Sequence, residues 1–230
     1  QGCSDLPPPN TVHSIRSLGR PGSLSERIHA DLRTRLQEGR VGPHERLIDL
    51  DIAKAYGTSR MPAREALLRL VNEGYLRPTT RGFVVPTLDS ADVRHLFEVR
   101  RLLEPEAAAS AVDALDTAAR AGLDKALARA RKAAASRSAE EMIAANIDFR
   151  TAWMSCVANP RLVEAVRRFV DHAQFVRLKT LVDPQVQRVA LAGLEALHAA
   201  FVARDRRAVR RCMKAYLDAA ERAFHDATKT

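Results

Sequence analysis

Three short helical patterns in close succession, each stopped by a glycine, constrain the first third of this chain more than any other feature. Leu24, Ile28, Leu32 and Leu36 recur one helical turn apart, and the pattern stops at Gly39. A second helix spans about residues 49–56, with Leu50, Ile52 and Ala53 inward, and stops at Gly57. A third runs from Ser59 to Asn72 behind a Thr58 or Ser59 cap, with Leu67, Leu68 and Val71 inward, and Gly74 ends it. Pro62 is tolerated in its first turn, where the missing N–H loses no partner. Residues 75–77 and 83–86 then form two short strands around a glycine-containing turn at 78–82. Helix, helix, glycine turn, helix, hairpin is the order of a winged helix-turn-helix over residues 23–86.

The outer face of the third helix carries small polar and basic residues. Arg60 and Arg64 are four positions apart, so both guanidiniums leave the helix on one side. A helix entering the major groove by its N-terminus needs this arrangement, because arginine can bond guanine O6 and N7 together. Thr58 and Ser59 open the same helix. Arg81-Gly82 at the hairpin tip puts a cation beside a residue with no side chain, which suits approach to a phosphate or a minor groove. The whole chain carries 37 Lys and Arg against 28 Asp and Glu, a net charge of +9, which fits a polyanionic partner.

After Thr87 the text becomes uniform. Residues 89–228 hold six or seven Ala- and Leu-rich stretches at helical spacing, which predicts an all-α bundle. Pro105 is expected to begin or kink a helix, Ser138 and Glu141 to form a capping box, and one helix to run from Pro160 to about Leu181. The fold class is therefore mainly α: a winged helix-turn-helix followed by a helical bundle. Residues 1–22, rich in Pro, Ser and Gly, are expected to be a disordered arm. No apolar run is long enough to span a membrane, prolines 7–9 stand where a signal peptide needs apolar residues, and three distant cysteines do not make a disulfide framework. The expected location is the cytoplasm. An enzyme is disfavoured, since no Gly-rich phosphate loop, Ser/His/Asp set or HExxH motif is present.

The run Gly57-Thr58-Ser59-Arg60-Met61-Pro62-Ala63-Arg64-Glu65-Ala66-Leu67, with Glu73-Gly74-Tyr75-Leu76 and Arg81-Gly82-Phe83-Val84-Val85 after it, resembles the DNA-binding domain of the GntR family of bacterial transcription regulators. That resemblance implies operator contacts at Ser59, Arg60, Arg64 and the Arg81-Gly82 wing tip. Ile48 departs from the family's Ser or Thr cap, leaving Asp49 to cap the second helix. Further on, Leu96-Phe97-Glu98-Val99-Arg100-Arg101-Leu102-Leu103-Glu104-Pro105 and Phe149-Arg150 with Asn159-Pro160-Arg161-Leu162 are similar to the FCD effector domain of the FadR-type branch. The resemblance implies dimerisation through the bundle, a palindromic double-stranded DNA operator and a small-molecule effector. Most FCD domains also hold a divalent metal with one Asp and three His. Here those positions fall on Asn146, Arg150, Leu194 and Tyr216, so no metal and no other cofactor is expected; an arginine cannot deprotonate and repels cations. His198, one turn beyond Leu194, is a single imidazole and cannot hold a metal alone.

Arg150 is instead a candidate anchor for an anionic effector, with Asn146 and Tyr216 as hydrogen-bond donors and Arg100 as a second cation. Glu98, Glu104 or Glu195 could neutralise these cations from within; otherwise the cavity traps a carboxylate or a similar anion. The alternative is a regulator whose helical domain binds nothing, which Leu194 favours and a buried Arg150 disfavours.

Overall fold

The computed structural model of the chain describes residues 23–42, 45–86 and 89–229; the expected N-terminal arm and the boundary after Thr87 lie outside them. The first unit is α1 (Leu24–Gln37), β1 (Arg46–Leu47), α2 (Asp49–Ala55), α3 (Arg60–Asn72), β2 (Arg77–Thr79) and β3 (Gly82–Val84). Ser23 starts α1 with a complete capping box, its hydroxyl accepting from the Glu26 amide while the Glu26 carboxylate accepts from the Ser23 amide. α3 packs on both α1 and α2 over Ile28, Leu32, Leu67 and Leu70.

Three residues of the expected apolar faces lie outside, Leu24 at the first position of α1 among them. The buried stripe of α3 is Ala63, Ala66, Leu67 and Leu70, at i, i+3, i+4 and i+7, so Leu68 falls off it and is exposed. In α2 the stripe is Asp49, Ile52 and Ala53, and Leu50 is exposed for the same reason. The sheet also has a strand more than the sequence suggests. β1 pairs antiparallel with β3 in the order β1-β3-β2, placing Leu47 opposite Phe83. Tyr75 and Leu76 precede β2 and are buried anchors rather than strand residues.

Gly82 is explained by this sheet. Its φ is +121°, and an added Cβ would lie 2.7 Å from the Leu47 carbonyl oxygen. The absent side chain lets β1 close on the wing, a reason internal to the fold and separate from any approach to DNA.

The second unit is α4 (Ser90–Ala111), α5 (Thr117–Ser136), α6 (Ala139–Met154), α7 (Pro160–His172), α8 (Gln174–Thr180), α9 (Pro184–Val202) and α10 (Arg206–Thr228). α5 pairs with α6, and α10 lies between α4 and α9 around Phe97, Phe149, Trp153, Leu197 and Phe201. α4 runs through Pro105 as one helix, so this proline begins no new element. α7 and α8 are separate, divided at Ala173, where one helix was expected. Ser138 caps α6 by accepting from the Glu141 amide at 3.2 Å, but the Glu141 carboxylate goes to Arg129 of α5 at 2.8 Å, so the box is half formed. Asp205 caps α10, its carboxylate accepting from the Ala208 amide at 2.9 Å. Among the described residues no helix is long and apolar enough to cross a membrane.

The units meet where α1 ends. Gln174 at the start of α8 donates from Nε2 to the Gln37 carbonyl, and Leu178 packs against Gly39.

Candidate DNA interface and helical-domain cavity

At the N-terminus of α3, Ser59 occupies the cap position in extended conformation, and its hydroxyl makes no capping bond. Thr58 is held by its amide, which donates to the Ala53 carbonyl at 2.9 Å. Arg60 and Arg64 project from the same face, as their spacing requires, and both reach one carboxylate. Arg60 Nη2 lies 3.0 Å from Asp49 Oδ1 and 3.1 Å from Oδ2, and Arg64 Nη1 lies 3.4 Å from Oδ2. Burial pushes the Asp49 carboxyl up, but the hydrogen bond and charge of Arg60, with Arg64 beside it, outweigh burial and hold it below the usual carboxylate range. Asp49 is therefore a guanidinium anchor. It does not cap α2, whose cap position is Ile48 with no side-chain bond.

This anchoring uses little of the donor set. The two arginine side chains remain 62% and 53% exposed, against 8% for Asp49. Arg60 reaches Asp49 through Nη2, and its side chain stays mostly in solvent. Met61, between them, is 73% exposed and adds an apolar contact beside the two forks. Arg81 is exposed at the tip between β2 and β3, its amide donating to Thr79 Oγ1 at 3.3 Å.

The helical domain encloses a cavity of about 70 Å³, and all four positions singled out in the sequence, Asn146, Arg150, Leu194 and Tyr216, line it together with Arg100. They come from α4, α6, α9 and α10. Arg100 and Glu104, one turn apart on α4 and both buried, form an ion pair at 2.5 Å, and the Arg100 guanidinium stacks 4.6 Å from the centre of the Phe97 ring. Glu104 is thus the internal counter-charge to Arg100. The other two acids weighed for that role are elsewhere: Glu98 is exposed and Glu195 bonds Arg131 at 2.9 Å.

Tyr216 gives its hydroxyl proton to Asn146 Oδ1, and Asn146 Nδ2 donates to the Met142 carbonyl at 2.8 Å. The expectation that both side chains donate inward is corrected here, because Tyr216 presents oxygen lone pairs and one Asn146 N–H is taken. Burial pushes the phenol up and keeps it protonated, against the pull of Arg177, Arg100 and Arg150 nearby. Gly193 of α9 makes room for the ring, since a Cβ there would lie 2.4 Å from Tyr216 Cδ2.

Arg177 of α8 also lines the cavity, and sequence reasoning missed it. The wall then holds three guanidiniums and one carboxylate. Amide, guanidinium, isobutyl and phenol groups do not make a site for a divalent metal, and among the described residues no three His, Cys, Asp or Glu side chains converge. His198 lies on the outside, 2.5 Å from Asp124.

Comparison with known proteins places the chain. Residues 24–85 match the model of the bacterial regulatory proteins of the gntR family, and residues 95–219 match that of the FCD domain. The chain is 30% identical over 199 residues to the HTH-type transcriptional regulator McbR of Escherichia coli (strain K12), covering 83% of this chain and 88% of that protein. It superposes on the solved structure of E. coli McbR/YncC with a TM-score of 0.78 at 27% identity, covering 91% of this chain and 99% of the other. The gluconate operon transcriptional repressor of Bacillus subtilis (strain 168) is 34% identical over 82 residues, 36% of this chain and 34% of its own. The chain is a DNA-binding transcription regulator and not an enzyme. It belongs to the GntR family, in the branch that carries an FCD effector domain.

Proposed function

We propose that this regulator acts in the cytoplasm as a homodimeric repressor, released from a palindromic operator by a small anion bound in the helical domain. Thr58, Ser59, Arg60 and Arg64 read the major groove, and Arg81 beside Gly82 holds the backbone or minor groove. A two-fold operator asks for a two-fold protein. The repressor assignment follows the role of the B. subtilis relative, a gluconate operon transcriptional repressor.

The observation that carries the anion is the cavity wall. Arg150 and Arg177 add two more planar guanidiniums to the wall that holds the Arg100–Glu104 pair, groups whose geometry matches a carboxylate or phosphate once the ligand replaces their partners within the protein. Asn146 has a second N–H for the ligand, while Tyr216, whose proton goes to Asn146, fixes that amide in place. Since one water needs roughly 10–15 Å³ on the same scale, the space suits inorganic phosphate or a short organic acid.

A thermal-shift screen of phosphate and small carboxylates against wild type and Arg150→Ala tests this. At a hundredfold excess over Kd a ligand stabilises the native state by about 2.7 kcal/mol. The expected result is an anionic hit that Arg150→Ala abolishes. A neutral hit, or an anionic one that survives the substitution, removes Arg150 as anchor. No hit at all supports a helical domain that has lost its ligand.

A further inference from the structure

We infer that α8 is the sensor that carries cavity occupancy to the DNA-reading unit, with Arg177 as its anion-binding side chain and Gln174 as its output. The inference rests on the anionic ligand proposed above and adds the residue and route by which binding is felt.

α8 is a single short helix with one side in the cavity, through Val176, Arg177 and Thr180, and its start against α1. Arg177 Nε donates to Gln174 Oε1 at 2.9 Å, and its Nη2 donates to the Val170 carbonyl at 3.2 Å. Gln174, 4% exposed, donates in turn to the Gln37 carbonyl. That carbonyl is a helix-end orphan. Those of Thr34, Arg35 and Leu36 accept from the amides of Glu38, Arg40 and Gly39, while Gln37 accepts from the other domain. The Gln37 side chain donates at 2.7 Å to the Tyr75 hydroxyl, which also accepts from Arg33 Nε at 3.2 Å. Tyr75 is bonded through its amide to the Leu70 carbonyl of α3 and stands two residues before β2. One continuous set of hydrogen bonds therefore runs from the cavity wall to the junction of recognition helix and wing.

An anion competes for the Arg177 fork with the partners that hold it now, Gln174 and the Val170 carbonyl among them. When the guanidinium turns to the ligand, Gln174 loses the acceptor bond that orients its amide, and its hold on Gln37 changes. The two arrangements differ by discrete bonds, which is what coupling between two sites needs. Leu178 against Gly39 supplies the packing part of the same joint.

The test uses the full chain, a duplex selected from random DNA, and two probes, inorganic phosphate and malonate. Wild type should bind at least one probe and change its operator affinity about fivefold or more. Gln174→Leu, similar in volume, should bind that probe at least as tightly as wild type, since one competitor for the Arg177 fork is gone, yet change operator affinity less than twofold; Leu178→Ala should weaken the response too and serves if Gln174→Leu does not fold. Arg177→Gln should lose the probe. A full operator response in Gln174→Leu and Leu178→Ala overturns the route while leaving the anion site standing, and unchanged probe binding in Arg177→Gln overturns the sensor. If neither probe binds wild type, the anion reading fails and takes this inference with it.

Discussion

Both functional regions set arginine against a carboxylate, and they do so in opposite ways. At the proposed DNA-reading surface the acid is buried and the bases are out: Asp49 is 8% exposed, Arg60 and Arg64 more than half. In the cavity both partners are inside, Arg100 and Glu104 being 5% and 4% exposed. A half-exposed guanidinium held at one nitrogen keeps donors for a partner molecule and costs little to hold. A buried pair must satisfy itself, because each ion has lost its water. The first arrangement presents charge; the second removes it from play.

Removing one carboxylate from each region should expose this difference, and the cavity gives the larger effect. Glu104→Ala leaves Arg100 charged and buried, and is expected to cost about 3–5 kcal/mol of unfolding free energy, read by urea denaturation. A loss below about 1 kcal/mol would mean that Arg100 finds another partner, and the contrast between the regions would disappear.

On the DNA side the arginines, not the acid, should dominate. Arg60→Ala and Arg64→Ala are each expected to weaken a selected operator by about 1–3 kcal/mol, roughly fivefold to 150-fold, and Arg60→Ala also loses the stability of its pair with Asp49, so affinity is read at a temperature where both variants are folded. Unchanged affinity in both would remove the N-terminus of α3 as the reading element.

These two regions were also unequally legible. Residues 57–85 are contiguous, and the order of glycine stops, Arg60, Arg64 and Arg81 describes the surface almost without tertiary information. The errors there, Leu24, Leu50 and Leu68 as core, Asp49 as a cap and a missed β1, are local: Leu50 and Leu68 stand one position off the buried stripe, Leu24 is the first residue of its helix, Asp49 turns to the arginines of α3, and Arg46-Leu47 is too short to carry a periodicity. The cavity is built from α4, α6, α8, α9 and α10, so spacing could not assemble it. Asn146, Arg150, Leu194 and Tyr216 were found only because a related domain has ligands at those positions. Arg177 had no such pointer. Its direction depends on the break at Ala173, and the run from Pro160 to Leu181 carries no glycine or internal proline to mark it.

Asp49→Asn sharpens the comparison through pH. Because the folded carboxyl is held below its ordinary value, Asp49 contributes stability above the unfolded value of about 3.9, and that contribution is lost as pH falls through the lower folded value. At pH 7 the substitution is expected to cost about 1–2 kcal/mol, since charge-assisted bonds are lost but both guanidiniums stay half in water. The difference between wild type and variant, from denaturant melts, should shrink as pH falls from 6 to 3. A difference constant across that range would assign the effect to packing instead.

The smallest effect concerns how the two units end their helices. In the first, glycines at 39, 57 and 74 take the left-handed residue that closes α1, α2 and α3; in the bundle, Arg137 (φ +55°) and Arg204 (φ +52°) do the same after α5 and α9. An arginine there is strained by roughly 1–2 kcal/mol, and glycine would relieve it at a chain-entropy cost of about 0.5–1 kcal/mol. Arg204 has compensation, because its guanidinium donates to the Val112, Asp113 and Leu115 carbonyls at 3.2, 3.4 and 2.9 Å and closes the end of α4. Arg137 is exposed, with no side-chain hydrogen bond or ion pair among the described residues. Arg137→Gly is therefore expected to stabilise the protein by about 0.5–1 kcal/mol, and Arg204→Gly to destabilise it, both by chemical denaturation. Two substitutions of the same kind at the same backbone angle should differ in sign. If Arg137→Gly also destabilises, its side chain holds a contact that matters, and the contrast in helix endings is one of function rather than of strain tolerated.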